Sequence, residues 1–217
     1  MNSAVILAGG NGKRINSDLP KQFIKVKNKR IIDYSIDTFK KNKNINEIIL
    51  VLHKDWVHHF KNDYHNFKLV EGGSSRYESS FNGILSCSVN TENVLIHDAA
   101  RPLLTQKIID NCINNLSSCD ATTPYFNVSD SMILKDSNSV NYLNRSKIKS
   151  IQTPQAFNKN IIIDAMKNAQ NIGTDDISTL LNYNSNLDIK FFKGDKNNFK
   201  ITNDIDLKIF ESLLNDK

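Results

Sequence analysis

Short apolar runs alternate with amphipathic stretches along this chain. Runs at residues 5–8, 47–52, 68–70, 93–97, 121–123 and 188–192 have the length and composition of strands. Between them, Ile31, Tyr34, Ser35, Thr38 and Phe39 fall close to a 3.6-residue period, as do Ile108, Ile109, Cys112, Ile113 and Leu116. A last amphipathic helix is predicted over 204–214, with Ile205, Ile209, Leu213 and Leu214 apolar. Strand–helix alternation predicts an α/β domain with a mostly parallel, twisted sheet flanked by helices. Ligands of such sheets bind outside the carboxyl ends of strands. Gly9-Gly10 and His97-Asp98 both fall at strand ends on this reading.

One segment breaks the alternation. Residues 128–149 read VSDSMILKDSNSVNYLNRSKIK, short alternating runs about the polar turn Asp136-Ser137-Asn138-Ser139. This pattern predicts a β-hairpin, an arm at about 126–149 that projects from the domain. An exposed hairpin needs cover for its edges, and a second copy of the chain would supply it. No internal repeat or linker divides the chain, so residues 1–217 are read as one domain.

Composition narrows the partners. Hydrophobic residues at 39% and charged residues at 24% fit a globular protein rather than a disordered one. No apolar run approaches the length of a membrane span. The first strand starts so early that no cleavable signal is expected, which predicts a cytoplasmic protein. Cys87, Cys112 and Cys119 are odd in number and lack metal-ligand spacing, so they read as buried or incidental thiols. The net charge of +5 is dispersed, and no helix-turn-helix or RNP-like motif accompanies it. A small anionic substrate is therefore favoured over nucleic acid.

The candidate chemistry begins at residues 7–22, LAGGNGKRINSDLPKQ. An apolar run ends in Gly9-Gly10-Asn11-Gly12, followed at once by Lys13 and Arg14 and, after Pro20, by Lys21. Glycines let backbone N–H groups approach a ligand, and cations just beyond suit a polyphosphate. A Walker A loop is excluded because Gly12-Lys13 is followed by Arg14 and the earlier glycine is missing. A dinucleotide fingerprint, and with it a nicotinamide-dependent oxidoreductase, is disfavoured because Ile15 stands where the third small residue belongs. An ordinary strand-to-helix turn is the competing reading of the glycines.

Further motifs follow in order: Gly72-Gly73-Ser74-Ser75-Arg76 before Glu78-Ser79-Ser80 and Asn82-Gly83; Ile96-His97-Asp98-Ala99-Ala100-Arg101-Pro102; Gln152-Thr153-Pro154-Gln155-Ala156-Phe157; Thr174-Asp175-Asp176; and Asn198-Phe199-Lys200-Ile201-Thr202. In this order and spacing, from about Val5 to Asp206, the chain resembles the cytidylyltransferases that act on 2-C-methyl-D-erythritol 4-phosphate and on D-ribitol 5-phosphate. The resemblance implies a Rossmann-like nucleotidyltransferase fold and a homodimer of embracing hairpin arms. It implies a Mg²⁺-dependent reaction of CTP with an alditol phosphate, giving a CDP-alditol and pyrophosphate. Matched by motif, Arg14, Lys21 and Lys200 are the catalytic cations. Leu7, Ala8, Gly9, Gly10, Asn11, Gly12, Gly73, Arg76, Ser79, Asp98 and Ala99 would bind the nucleotide. Arg101, Arg145, Thr153, Thr174 and Asp175 would bind the acceptor, with Arg145 arriving from the partner subunit. Asp98 would also hold the metal.

Plainer readings stand beside these. Lys13 and Arg145 are also read as solvated charges, His97 as a packing residue, and Asp98 and Thr174-Asp175 as helix caps. His53, His58, His59 and His65 match no metal spacing and are read as structural or surface. The motifs divide over the acceptor. Ile15 departs from the methylerythritol branch, Asn144-Arg145 resembles the ribitol branch, and His53-Lys54-Asp55-Trp56-Val57 that branch or capsule-pathway paralogues, whereas the His97–Pro102 segment, Asn82-Gly83 and residues 174–178 resemble the methylerythritol branch. The balance falls on D-ribitol 5-phosphate or a similar surface-polymer precursor, with the isoprenoid-pathway acceptor as the alternative. A catalytically silent nucleotide-binding regulator is a third reading; such a protein should have lost Lys21, Asp98 or Lys200, and all three are present.

Overall fold

The computed structural model describes residues 1–10 and 19–215. The first strand, β1 (Asn2–Ala8), leads to a small hairpin of β2 (Lys25–Val26) and β3 (Lys29–Arg30), then α1 (Ile31–Lys40). Next come β4 (Glu47–Leu52), α2 (Lys54–Phe60), β5 (Lys68–Glu71), α3 (Arg76–Leu85), β6 (Asn93–Asp98), α4 (Gln106–Asn115) and β7 (Ala121–Asn127). The chain continues through β8 (Met132–Lys135), β9 (Val140–Leu143), β10 (Lys149–Ile151), β11 (Gln155–Asn158), α5 (Lys159–Asn168), α6 (Asp176–Tyr183), β12 (Ile189–Lys193) and α7 (Asp204–Asn215). All six strands expected from the apolar runs form, and so do the three helices expected from periodicity.

The main sheet is mostly parallel, as the alternation implied. β5, β4, β1 and β6 lie side by side and parallel, with Leu7 opposite both Val51 and Asp98. Beyond β6, β11 runs antiparallel and hands the sheet on to β7. β12 pairs with β7 in parallel over 121–125, so β10 and β11 share β7's other edge. The chain runs outward from β1 to β4 and β5, then returns to β6 on β1's other side. That reversal opens a crevice at the strand ends, the place where such sheets bind ligands.

Period-2 alternation explains the two cores. Ala4, Ile6 and Ala8 face Ile32, Ile36 and Phe39 of α1 and Ile108, Ile109 and Cys112 of α4. Val5 and Leu7 face the other way, packing with Ile84 of α3, Ile162 and Ala165 of α5, and Leu180 of α6. A strand covered on both faces needs apolar residues at every position, which is why these strands read as continuous runs. α7 closes a third cluster of Val26, Ile31, Ile201 and Phe210.

The close helix–strand approach occurs at Gly83 of α3. A Cβ there would lie 2.4 Å from Val5 Cγ1 and 2.8 Å from Val51 Cγ2. Helix propensity favours Ala over Gly by about 1 kcal/mol, whereas overpacking a core costs about 1–3 kcal/mol. With two buried methyls in the way, overpacking wins. Gly83→Ala is expected to lower stability by about 1–2 kcal/mol in urea unfolding.

Two features bear on the site and its surroundings. The turn at Lys21–Phe23 is seated on α2 by aromatic stacking: Phe23 lies 3.9 Å from Phe60 and 6.2 Å from Trp56, centroid to centroid. The predicted hairpin is present as β8 and β9, which pair only with each other in a two-stranded sheet. Asp136 closes its turn by accepting hydrogen bonds from the backbone N–H groups of Asn138 and Ser139. Ile133, Leu134, Val140 and Tyr142 are exposed on it, Tyr142 by 81%.

Candidate functional site

A cavity of about 470 Å³ opens across the carboxyl ends of β1, β4, β5 and β6. From β1 come Leu7, Ala8, Gly9 and Gly10; from the β4 end, His53; from the loop after β5 and the start of α3, Gly73, Ser74, Ser75, Arg76 and Ser79. From β6 and the turn after it come Asp98, Ala99 and Ala100, and Lys21, Gln22 and Lys200 complete the lining. Leu7, Ala8, Gly9, Gly10, Lys21, Gly73, Arg76, Ser79, Asp98, Ala99 and Lys200 are thus brought together as the motifs implied. Asn11, Gly12, Arg14 and the neighbouring Lys13 and Ile15 lie outside the described residues.

The loop after β5 is built for rigidity. Ser75 caps α3 by accepting from the Glu78 N–H, and Glu78 Oε2 accepts from the Ser74 N–H and hydroxyl, each at 2.7 Å. Ser79 Oγ accepts from the Gly73 N–H at 3.1 Å and donates to the Ser75 carbonyl at 2.8 Å. A Cβ on Gly73 would fall 2.2 Å from Glu78 Cβ, so only glycine fits that wrapped turn. On the opposite wall, the buried Gln22 amide donates to the carbonyls of Ala8 at 2.7 Å and Gly10 at 2.9 Å, pinning the glycine loop from below. Lys21 donates to the Ile201 carbonyl at 2.7 Å.

Charge is concentrated at the β6 end. Asp98 Oδ2 accepts from Lys200 Nζ at 2.8 Å and lies 3.8 Å from Arg101 Nε. Asp98 Oδ1 lies 3.4 Å from Arg76 Nε. Arg76 also reaches Asp176 through Nη1 at 2.8 Å, so its guanidinium bridges two carboxylates. Burial opposes ionisation of Asp98, but Arg76, Lys200 and Arg101 outweigh it and hold its carboxyl far below the usual carboxylate range. At Asp176 the balance reverses: burial outweighs the Arg76 contact and raises its pKa.

His97 lies behind this carboxylate and is fully buried. Thr153 Oγ1 accepts from the Asp98 N–H at 3.0 Å and lies 3.0 Å from His97 Nδ1. His97 Nε2 lies 3.1 Å from the Arg101 carbonyl, which can only accept. The proton is therefore assigned to Nε2, and the Thr153 hydroxyl donates to Nδ1. Burial, partly opposed by the Asp98 charge, pulls the His97 pKa down to about 4. Its imidazole is neutral and structural, as the packing reading had it. In the unfolded chain the same group takes up a proton below about 6.5. The unfolded state thus binds more protons between those two values, and stability falls as pH drops through that window. A loss of up to about 3 kcal/mol between pH 6.5 and pH 4 is expected, measured by urea unfolding at each pH and flattened in His97→Asn.

Other predicted residues stand elsewhere. Arg101 and Thr153 sit behind Asp98 rather than in the cavity wall, Arg101 donating to the Asn198 carbonyl at 2.9 Å. Thr174 is exposed, and Asp175 caps α6, accepting from the Ser178 N–H at 2.7 Å and from the Gln155 amide at 2.8 Å. Arg145 is exposed at the base of the hairpin, donating to the Ser129 carbonyl. The cap reading of Asp98 is corrected: it ends β6 and enters a turn closed by the Arg101 N–H on its carbonyl. His53, read as structural or surface, both caps α2 and lines the cavity. Gln22, Ser74, Ser75 and Ala100 were also missed as lining residues. For Gln22 the signal was its place beside Lys21 in the PKQ run.

Among the described residues no group of three or more His, Cys, Asp or Glu side chains could hold a metal. Asp98 offers a single hard carboxylate. That suits Mg²⁺, which is commonly held by one or two carboxylates together with substrate phosphates.

A parallel sheet with a cavity over its switch point, lined by backbone, hydroxyls, two lysines and a carboxylate, fits a nucleotide site of the nucleotidyltransferase class. Comparison with known proteins carries this further. Residues 2–216 match the family model described as IspD, 2-C-methyl-D-erythritol 4-phosphate cytidylyltransferase, and the chain belongs to that family. A 2-C-methyl-D-erythritol 4-phosphate cytidylyltransferase of Clostridium botulinum is 37% identical, covering 98% of this chain and 97% of its own. The bifunctional enzyme IspD/IspF of Pelagibacter ubique is also 37% identical, over 99% of this chain and 58% of its own. Among solved structures, 4-diphosphocytidyl-2C-methyl-D-erythritol synthase from Anaerococcus prevotii superposes with a TM-score of 0.87 at 29% identity, over 99% of this chain and 96% of its own. The chain is a CTP-dependent cytidylyltransferase. No helix among the described residues is long and apolar enough to cross a membrane.

Proposed function

We propose that this enzyme transfers the cytidylyl group of CTP to 2-C-methyl-D-erythritol 4-phosphate. The family match and the names of its relatives support this acceptor, the alternative of the sequence reading, over ribitol 5-phosphate. The observation that carries the chemistry is the lining of the cavity. Lys21, Lys200 and Asp98 line the same cavity as Gly73, Ser74 and Ser79, with the Lys200 ammonium 2.8 Å from the Asp98 carboxylate. A nucleotide would place its phosphates at the lysines and its base against the backbone and hydroxyls of the loop after β5.

The acceptor phosphate is already an anion and needs no general base. One of its oxygens bonds to the α-phosphorus, the bond from that phosphorus to the β-phosphate bridge breaks, and pyrophosphate leaves with the electron pair. The barrier is repulsion between a dianion and a polyanion, so the protein must supply fixed positive charge and in-line positioning. Arg14 and Lys21 are assigned to the triphosphate and the transition state, and Lys200 to the reacting α-phosphate. Arg145, Thr174 and Asp175 are assigned to the acceptor, with Arg101 and Thr153 supporting them from behind Asp98. Asp98 would hold Mg²⁺, which supplies charge neutralisation at the phosphates.

The exposed apolar hairpin is assigned to a homodimer, with Arg145 carried at its base toward the partner's site. Tyr142→Asp is expected to shift the molecule toward monomer by light scattering and to lower turnover with it. The acceptor is tested by pyrophosphate release from CTP and Mg²⁺ with each alditol phosphate in parallel. Release with the methylerythritol phosphate alone is the expected result, and release with ribitol 5-phosphate alone would overturn the assignment.

A further inference from the structure

Lys200 lies on an irregular segment between β12 and α7, and the cavity wall alone does not explain what fixes it. One fixing group is Gln152, which is fully buried just beyond β10 and shares the Asn198 carbonyl with Arg101 Nη1 at 2.9 Å. Its Nε2 donates to the Asp195 carbonyl at 2.7 Å and to the Asn198 carbonyl at 3.1 Å, two residues before Lys200. The Asn198 side chain answers by donating to the Thr153 carbonyl at 2.8 Å. Gln152 Oε1 faces Gly194, where a Cβ would lie 2.3 Å away, so glycine is required for the turn to close on the amide. The next residue, Thr153, receives the Asp98 N–H. Adjacent residues therefore hold the two partners of the 2.8 Å Asp98–Lys200 ion pair from opposite sides.

We infer that Gln152 is a positioning residue for the transfer step, setting the height of the Lys200 ammonium over the cavity through the 194–198 turn. This rests on the assignment of Lys200 to the reacting phosphates. A lysine has four rotatable carbons, so only a fixed backbone gives its ammonium a fixed place. A shift of about 1 Å in such a group costs as much as 10²-fold in rate. Among the described residues, the hydrogen bonds of the Gln152 side chain go to the Asp195 and Asn198 carbonyls and none to Gly9, Gly10 or the loop after β5, so nucleotide affinity should not follow it.

The test is steady-state kinetics on the full-length enzyme. Gln152→Met keeps the length of the side chain and removes both donors. The expected result is a fall in kcat of about 10- to 100-fold, with the CTP KM within twofold of wild type. In a Lys200→Met background, Gln152→Met should add nothing, because the group it positions is gone. An unchanged kcat, a matching rise in CTP KM, or a full further loss in the Lys200→Met background would each overturn the inference. If Gln152→Met fails to fold, Gly194→Ala displaces the same amide and is judged by the same criteria. Lys200→Met with undiminished turnover would instead overturn the underlying assignment, and that outcome is read without any Gln152 variant.

Discussion

Lys21→Ala is expected to lower kcat by about 10²–10³-fold while the protein stays folded, as for loss of a donor aimed at developing charge. The lysine sits on a short turn anchored below by Phe23 against Phe60 and alongside by the Gln22 amide, so its backbone is held without its own side chain. In the structure its ammonium is on the Ile201 carbonyl, one residue beyond Lys200. Two lysines from opposite ends of the chain thus line the same cavity as the strand-end glycines. Truncating Lys21 costs the fold about 1 kcal/mol for its hydrogen bond to the Ile201 carbonyl. Single-turnover rates and thermal unfolding separate the two effects, and turnover near wild type would remove Lys21 from the mechanism.

Asp98→Asn is expected to damage both stability and activity. The amide keeps the shape of the side chain, and the backbone N–H can still reach Thr153. What disappears is the one anion shared by Arg76, Arg101 and Lys200. Breaking a buried charge pair costs about 3–5 kcal/mol. Lys200 and Arg76 retain some solvent, so about 2–3 kcal/mol is expected. The pH dependence has a definite sign. The folded carboxyl titrates below its unfolded value, so its contribution is present above about pH 4 and is lost as pH falls through the folded value. Wild type and Asp98→Asn should therefore differ most in neutral urea titrations and converge in strong acid. Turnover should fall by at least about 10²-fold, because the cations lose their fixed arrangement.

The fold was legible because both faces of the central strands are covered. Continuous apolar runs at 5–8, 47–52 and 93–97 follow directly from that. β10 and β11 were not read as strands, since each is short and Pro154 stands between them. At the site, strand-end residues such as Gly9, Gly73 and Asp98 were visible because a turn or a charge there has little other reason to follow an apolar run. Gln22, His53 and Gln152 were not, because their roles arise from partners distant along the chain. The Gln152 amide meets the Asn198 carbonyl across 46 positions, and Lys200 meets Asp98 across 102. Asp175 shows the converse: its capping reading came from local sequence and is what its carboxylate does.

The aromatic seat beneath Lys21 has an optical consequence. The chain has one tryptophan, Trp56. Its indole lies 6.2 Å from the Phe23 ring, two residues along from Lys21, and 5.4 Å from the imidazole of His59. Its emission therefore samples the packing of the turn that carries the lysine, without an attached dye or a second indole to confuse the signal. A nucleotide that drew Lys21 inward would shift Phe23 against the indole. The resulting fluorescence change would time the arrival of the lysine directly, apart from any pyrophosphate released afterward.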